Sequence, residues 1–265
     1  MGRKWSGVKK TDPRTGLEVT VYAPRIAHLK INCTYACDRR CANCNRVTRI
    51  APSCPSEDLD PAQLARMLEE ASHGGPRWTR IVLTGGEPTM HPGFEELVDV
   101  MMDYKQRRNP ECHMTTFTYH HPEHYCKIER ATRKHPLFQV WDTGKQEGRI
   151  HRWAPFMAPI DNPKRDPNHF YRGCHMNCRL CGTGYDYKGF YCCPVATNIA
   201  RIFGMDMAIQ HPKDVTLESL TDQFQAVCPK CGLYNYYPAG DSAKDLVSKS
   251  WLEAFRRYNA TSQRR

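Results

Sequence analysis

The sequence predicts an α/β fold, with parallel strands and helices packed outside them. Two observations carry that reading. Short apolar runs alternate with segments of helical periodicity. Two chemistry-bearing motifs, a cysteine loop and Gly85-Gly86-Glu87, each follow directly on an apolar run, and strand C-termini are where such sheets place their chemistry.

Val19 to Tyr22 reads as a short strand ahead of the main fold. Ile26 to Ile31 is apolar enough to be a buried strand and runs straight into the cysteine loop. Asp60-Pro61 starts a helix, with the aspartate as cap and the proline at the first helical position. Leu64, Met67, Leu68 and Ala71 follow at helical spacing, and Gly74-Gly75 ends the helix. Ile81 to Thr84 is a strand that delivers Gly85-Gly86-Glu87. Phe94, Leu97, Val98, Met101 and Met102 mark the next helix. Met114 to Tyr119 is a strand, Pro122 to Lys134 a helix, and Phe138 to Asp142 a strand. From about Asn168 helical periodicity gives way to cysteines, glycines and aromatics. Tyr185 to Cys192 reads as a hairpin turning near Lys188-Gly189. Asp245 to Tyr258 returns to helix, with Leu246, Trp251, Leu252 and Phe255 on its apolar side.

The chain has 265 residues, 40% of them apolar and 25% charged, enough to bury a substantial core. No apolar run approaches the ~20 residues of a membrane helix, and Met1 to Lys10 lacks the apolar stretch of a signal peptide. A cytoplasmic protein is the expectation. Fourteen cysteines in that setting point to metal rather than disulfides. The net charge of +10 is spread among acidic residues, so it argues for a solvated surface with a bias toward anions rather than a nucleic-acid stripe.

The most informative cysteines are Cys37, Cys41 and Cys44, spaced C-x3-C-x2-C ahead of Gly85-Gly86-Glu87-Pro88. Three thiolates on one loop can hold three corners of a four-iron cluster and leave one iron open. A zinc site would need a fourth ligand. The spacing together with the Gly-Gly-Glu-Pro tract resembles the radical SAM superfamily. The resemblance implies a partial (β/α) TIM-like barrel. It is expected to be shortened, because only about thirty proline-rich residues separate Thr143 from Cys174.

In that family the triad holds a [4Fe-4S] cluster whose open iron chelates S-adenosylmethionine (SAM). One-electron reduction yields a 5′-deoxyadenosyl radical that takes hydrogen from an unactivated C–H. The resemblance makes Cys37, Cys41 and Cys44 the ligands, and sets Gly85, Gly86 and Glu87 against the SAM ammonium, where glycines permit close approach and a carboxylate suits a cation. The residue before the third cysteine, usually aromatic and against adenine, is Asn43 here. Adenine would be held by its backbone or by a neighbour such as Tyr35. Thr115, Thr116, Asp142 and Thr143, at expected strand ends, are candidates for ribose contact. Cys33 closes an apolar strand and reads as a small buried hydrophobe. Cys54 reads as a free thiol in a loop.

A second group comprises Cys174, Cys178, Cys181, Cys192, Cys193, Cys228 and Cys231. Cys174-x3-Cys178-x2-Cys181 repeats the triad spacing, but no Gly-Gly-Glu follows it. The layout resembles the auxiliary-cluster appendage called SPASM, or its shorter form twitch. That implies one auxiliary [4Fe-4S] cluster on Cys174, on Cys192 or Cys193, and on Cys228 and Cys231. Cys178 and Cys181 are alternates for Cys174. Neighbouring side chains on an extended chain point to opposite faces, so one of Cys192 and Cys193 should bind. Structural zinc on the same cysteines is the competing reading. The division expected is a barrel over 1–167 and an auxiliary-cluster region with a C-terminal helix over 168–265.

The resemblance further implies an electron donor such as flavodoxin or ferredoxin. The leading expectation is oxidation or epimerisation of a small polar metabolite such as a sugar, a cyclitol or a nucleoside-like compound. Modification of a ribosomally made peptide comes second; the short stretch before the first core strand, too short for a leader-binding domain, favours the small substrate. A zinc-stapled nucleic-acid binder is the alternative of another class. Epimerisation needs a thiol as hydrogen donor, and Cys112 and Cys126 are the candidates.

Overall fold

The computed structural model describes residues 7–11, 18–51, 53–119, 122–144, 151, 153–165, 173–174, 181–235 and 244–262. A two-stranded antiparallel ribbon, β1 (Gly7–Thr11) with β2 (Glu18–Tyr22), precedes the main sheet. The main sheet has six strands in the order β6-β5-β4-β3-β7-β8. These are β3 (His28–Asn32), β4 (Arg80–Thr84), β5 (His113–Thr118), β6 (Gln139–Asp142), β7 (Thr183–Asp186) and β8 (Gly189–Tyr191). All neighbours are parallel except the β7–β8 hairpin. The result is a mixed α/β fold with a parallel-rich sheet, which fits a partial β/α barrel.

The three connecting helices form where the periodicity predicts them. In α1 (Pro61–Gly74) the Asp60 carboxylate accepts from Ala62 N at 2.8 Å, and Leu64, Met67, Leu68 and Ala71 are buried. In α2 (Phe94–Arg107) all five expected apolar residues are buried. A single 3-10 turn at Pro122–His124 precedes α3 (Tyr125–Lys134). Leu29, Ile31, Ile81, Leu83 and Met114 join these helices in the core.

The C-terminal part departs from expectation. Its hairpin continues the sheet itself, because β7 pairs in parallel with β3 from Leu29↔Thr183 to Ile31↔Tyr185. Helical structure persists where the sequence reading saw it end. The helices there are α4 (Pro194–Phe203), α5 (Leu217–Asp222) and α6 (Phe224–Val227), before α7 (Lys249–Ser262). α4 is buried from Pro194 to Ile202, its polar residues Thr197, Asn198 and Arg201 included. Trp251 and Phe255 are buried as expected on the apolar side of the last helix, with Ala254 beside them, whereas Leu252 is 45% exposed. Among the described residues no helix is long and apolar enough to cross a membrane.

A buried polar network ties this part to the start of the cysteine loop. The Arg201 guanidinium pairs with the Glu57 carboxylate at 2.8 Å, both side chains almost fully buried. Tyr258 donates to the same carboxylate at 2.9 Å. Arg201 also lies over the ring of Tyr35 at 4.3 Å, whose hydroxyl donates to Asp186 Oδ2 at 2.7 Å. Breaking one partner of a buried pair strands the other charge. Arg201→Ala should therefore cost about 3–5 kcal/mol of stability in chemical denaturation, while Glu57→Gln combined with Arg201→Met should recover much of it.

Burial pushes the Asp186 carboxyl up to about 6, against hydrogen bonds from Lys188 N and Tyr35 that favour the ionised form. Between about pH 4 and 6 the folded state holds a proton that the unfolded chain has released, so stability falls as pH rises through that window. The fall should reach about 3 kcal/mol at most. Asp186→Asn should flatten it, as thermal or chemical denaturation at stepped pH will show.

Candidate functional site

The cysteine loop leaves β3 at Cys33 and lies along the Gly85-Gly86-Glu87 tract that leaves β4. Cys33 N donates to Thr84 O at 2.9 Å, Gly86 N to Thr34 O at 2.8 Å and Glu87 N to Ala36 O at 2.8 Å. These bonds continue the parallel pairing of β3 and β4 beyond both strand ends. They require the glycines. A Cβ on Gly85 would lie 2.4 Å from Thr34 O, and one on Gly86 would lie 2.1 Å from Ala36 O. The close approach inferred from the glycine pair is thus made by the cysteine loop itself.

Glu87 has a structural task besides the one expected of it. Its side chain is 1% exposed and its carboxylate accepts four hydrogen bonds. Oε1 takes Thr89 N at 3.2 Å, Thr89 Oγ1 at 2.8 Å and Thr118 Oγ1 at 2.6 Å; Oε2 takes Tyr119 N at 3.2 Å. The carboxylate therefore clamps the tract to the end of β5.

Cys37 is half-buried, and Cys41 and Cys44 are buried. Thr48 Oγ1 donates to Cys44 Sγ at 3.9 Å. Asn43 and Val47 have φ of 56° and 65°. That conformation is strained for a β-branched residue, about 1–3 kcal/mol, and the burial of Val47 in the core holds it. Asn43 has a structural task as well. Its N–H donates to Asp245 Oδ1 at 2.6 Å and its Oδ1 accepts from Leu246 N at 3.0 Å, so it pins the loop to the segment before α7. Its Nδ2 is buried without a partner, a donor left over beside two of the thiols. Arg201 lies over the Tyr35 ring and Asp186 takes its hydroxyl.

A donor set of three thiols on one loop, backed by an anchored backbone and an orphaned amide, fits an iron–sulfur cluster with an open iron. Cys33 is fully buried outside the triad, and burial pushes its thiol far up, in keeping with a small hydrophobe.

The other expected contacts separate by register. Thr116 is fully buried and its hydroxyl donates to Leu83 O at 3.2 Å. Thr115, one position away, lies on the opposite face with its hydroxyl buried and unpartnered. Asp142 is exposed, and its Oδ1 accepts from Gly144 N at 2.7 Å. Thr143 N donates to Thr118 O at 2.8 Å. Both stand at the C-terminal edge of β6.

The second cysteine group also gathers. Burial pushes the Cys228 thiol well up, and Cys174, Cys231 and Cys193 reinforce the shift in that order. Burial likewise raises Cys192, with Cys193, Cys228 and Cys174 adding to it. All five are buried. Among the described residues no three Cys, His, Asp or Glu side chains converge on a single ion position; a cubane spreads its thiolates over separate irons. Cys178 lies outside the described residues. Cys181 stands apart, hydrogen-bonded to Lys30. Arg46 sits between the two groups. It is buried, donates to Pro194 O at 2.8 Å, and feels Cys44, Tyr35, Cys181 and Cys193.

The two hydrogen-donor candidates are elsewhere. Cys112 is fully buried just before the N-terminal end of β5, opposite the edge that carries the cysteine loop, and burial lifts its thiol to about 11. Cys126 is exposed in the first turn of α3, outside the sheet. Neither reaches the site.

Residues 31–145 match the family model described as the radical SAM superfamily. This part of the chain is similar to the radical SAM superfamily. It contains the end of β3, the cysteine triad, the Gly85-Gly86-Glu87 clamp and strands β4, β5 and β6. Solved structures resemble the chain at low identity. The crystal structure of Streptococcus suis SuiB bound to S-adenosylmethionine is 17% identical, with a TM-score of 0.32, over 53% of this chain and only 28% of SuiB. BtrN in complex with AdoMet and 2-DOIA is 11% identical, with a TM-score of 0.46, over 84% of this chain and all of BtrN. Native anSMEcpe with bound AdoMet is 14% identical, with a TM-score of 0.40, over 88% of this chain and 97% of anSMEcpe. No curated protein matches the chain.

The glycine pair gives a direct test. Gly86→Ala should displace the loop and lower the iron bound after anaerobic reconstitution to half or less, while far-UV circular dichroism keeps the parent shape. Unchanged iron binding would show that the loop tolerates the lost backbone contact.

Proposed function

We propose that the chain is a radical SAM enzyme carrying a second, auxiliary iron–sulfur cluster. The observation that carries this reading is the cysteine triad held on the Gly85-Gly86 backbone inside the matched domain. When bound at Cys37, Cys41 and Cys44, a [4Fe-4S] cluster supplies the electron that cleaves SAM and so gives access to an unactivated C–H. The chain positions that chemistry with Glu87, which fixes the tract to β5, and with Asn43, which fixes the loop to the C-terminal segment.

The auxiliary cluster would sit on Cys174, Cys193, Cys228 and Cys231. Cys192, buried beside Cys193, is the alternate for it. Arg46 then lies between the two clusters, a fixed positive charge beside Cys44 on one side and Cys193 on the other. An auxiliary cluster suits an electron conduit, and the reaction that uses one is oxidation of a small polar metabolite, with a flavodoxin or ferredoxin as donor in the cytoplasm. If the outcome were epimerisation, the hydrogen-donor role would fall to Cys181 beside Lys30 rather than to Cys112 or Cys126.

Anaerobic reconstitution tests both parts. The parent should bind about eight irons and release 5′-deoxyadenosine from SAM under reducing conditions. Cys41→Ala should abolish that product. Cys228→Ala should lose about half the iron yet still cleave SAM. Four irons with one zinc would replace the auxiliary cluster with a structural zinc site, and no 5′-deoxyadenosine from a fully loaded parent would end the enzyme reading.

A further inference from the structure

One face of the main sheet carries two cations, Lys30 and Arg80, that no carboxylate pairs among the described residues. Alternation along β3 puts Lys30 and Asn32 on one face, and the parallel register matches them to Val82 and Thr84, with Arg80 two positions before Val82 on the same face of β4. Val82 pairs onward with Thr115, and Phe117 pairs with Trp141. Contacts between side chains agree with this shared face. Lys30 Nζ stands 5.1 Å from the centre of the Phe117 ring, and Arg80 Cζ stands 5.7 Å from the same centre. Phe117 stacks on Trp141 with centroids 5.9 Å apart, and Trp141 is 60% exposed.

Two cations thus share one aromatic ring. The ring attracts each of them but neutralises neither. The groups that act on Lys30, after burial, are the Cys181 thiol and the guanidinium groups of Arg46 and Arg80. No ion pair among the described residues includes Lys30 or Arg80, whereas Arg107, Arg108, Arg130 and Lys134 on the outer helices each have a carboxylate within 2.7 Å. Asp186, on the neighbouring β7, is already taken by Tyr35 and by Lys188 N. The Thr115 hydroxyl on this face is buried with no partner. Two half-buried like charges that share one ring repel each other, and an anion between them would relieve that repulsion.

We propose that this face binds a small molecule carrying a phosphate and a flat ring. The phosphate lies between Lys30 and Arg80 with the Thr115 hydroxyl as a further donor, and the ring lies against Trp141. A phosphate monoester, close to −2 at neutral pH, matches two cations where a carboxylate matches one. Arginine and lysine together offer it a fork and a point donor. The identification of this molecule as the substrate rests on the radical SAM reading; the binding site does not.

Calorimetric titration of the reconstituted protein with adenosine 5′-monophosphate, adenosine and inorganic phosphate tests the site. The monophosphate should bind, inorganic phosphate should compete with it, and adenosine should bind at least about tenfold more weakly. Lys30→Gln and Arg80→Gln should each weaken the monophosphate about tenfold and leave SAM affinity unchanged. Arg80 is partly exposed, so its variant keeps the test open should Lys30→Gln fail to fold. No binding of the monophosphate, equal binding by the variants, or adenosine as tight as its monophosphate would overturn the proposal. So would a parallel loss of SAM affinity, which would assign the two cations to the SAM carboxylate. SAM cleavage by the parent reports separately on the enzyme reading, so the two can fail independently.

Discussion

Three backbone hydrogen bonds beyond the ends of β3 and β4 hold the site together. From Cys33 to Ala36 the cysteine loop keeps pairing with the chain from Thr84 to Glu87 as though the sheet had not ended. A loop that must present three thiolates in one geometry would otherwise lose much of its binding energy to ordering. Here the order is inherited from the strands. The glycines are the condition for it, because any side chain at Gly85 or Gly86 meets a carbonyl oxygen. Glu87 then extends the support to a third strand through Thr118 and Tyr119.

The C-terminal part is built onto this base rather than beside it. β7 completes the sheet on the free side of β3, and its hairpin leads through Cys192 and Cys193 into α4. Arg46 donates to Pro194 O at the first position of that helix. The route from one thiol group to the other is therefore short in the chain and buried throughout. Tyr35, Arg201, Glu57 and Tyr258 brace the same junction. Charge inside the fold is managed unevenly. Glu57 has its cation, while Lys30 and Arg80 share one face of the sheet, with an aromatic ring for company.

Much of this was legible in the sequence. Strand and helix positions before residue 145 followed from apolar runs and periodicity, since β3, β4 and β5 are mostly buried and α1 and α2 each have one buried stripe. The triad and the glycine tract stood out because their spacing is chemical. What was hidden depends on partners far along the chain. The task of Glu87 is set by residues more than thirty positions away. The choice between Thr115 and Thr116 is a matter of register. Helix α4 was overlooked because Cys192-Cys193 drew the eye as ligands. Yet Pro194 at its first position and Gly204 at its end, with φ 65°, were ordinary helix signals. Asn43 looked like a missing aromatic and proved to be a structural pin.

The central claim is that the triad leaves one iron of a cubane open to SAM. Mössbauer spectroscopy of protein reconstituted with 57Fe, recorded before and after SAM is added, addresses it most directly. The account predicts that a single iron of one cluster changes its isomer shift and quadrupole splitting while the remaining irons keep theirs. Spectra that are identical with and without SAM at saturating concentration would contradict it.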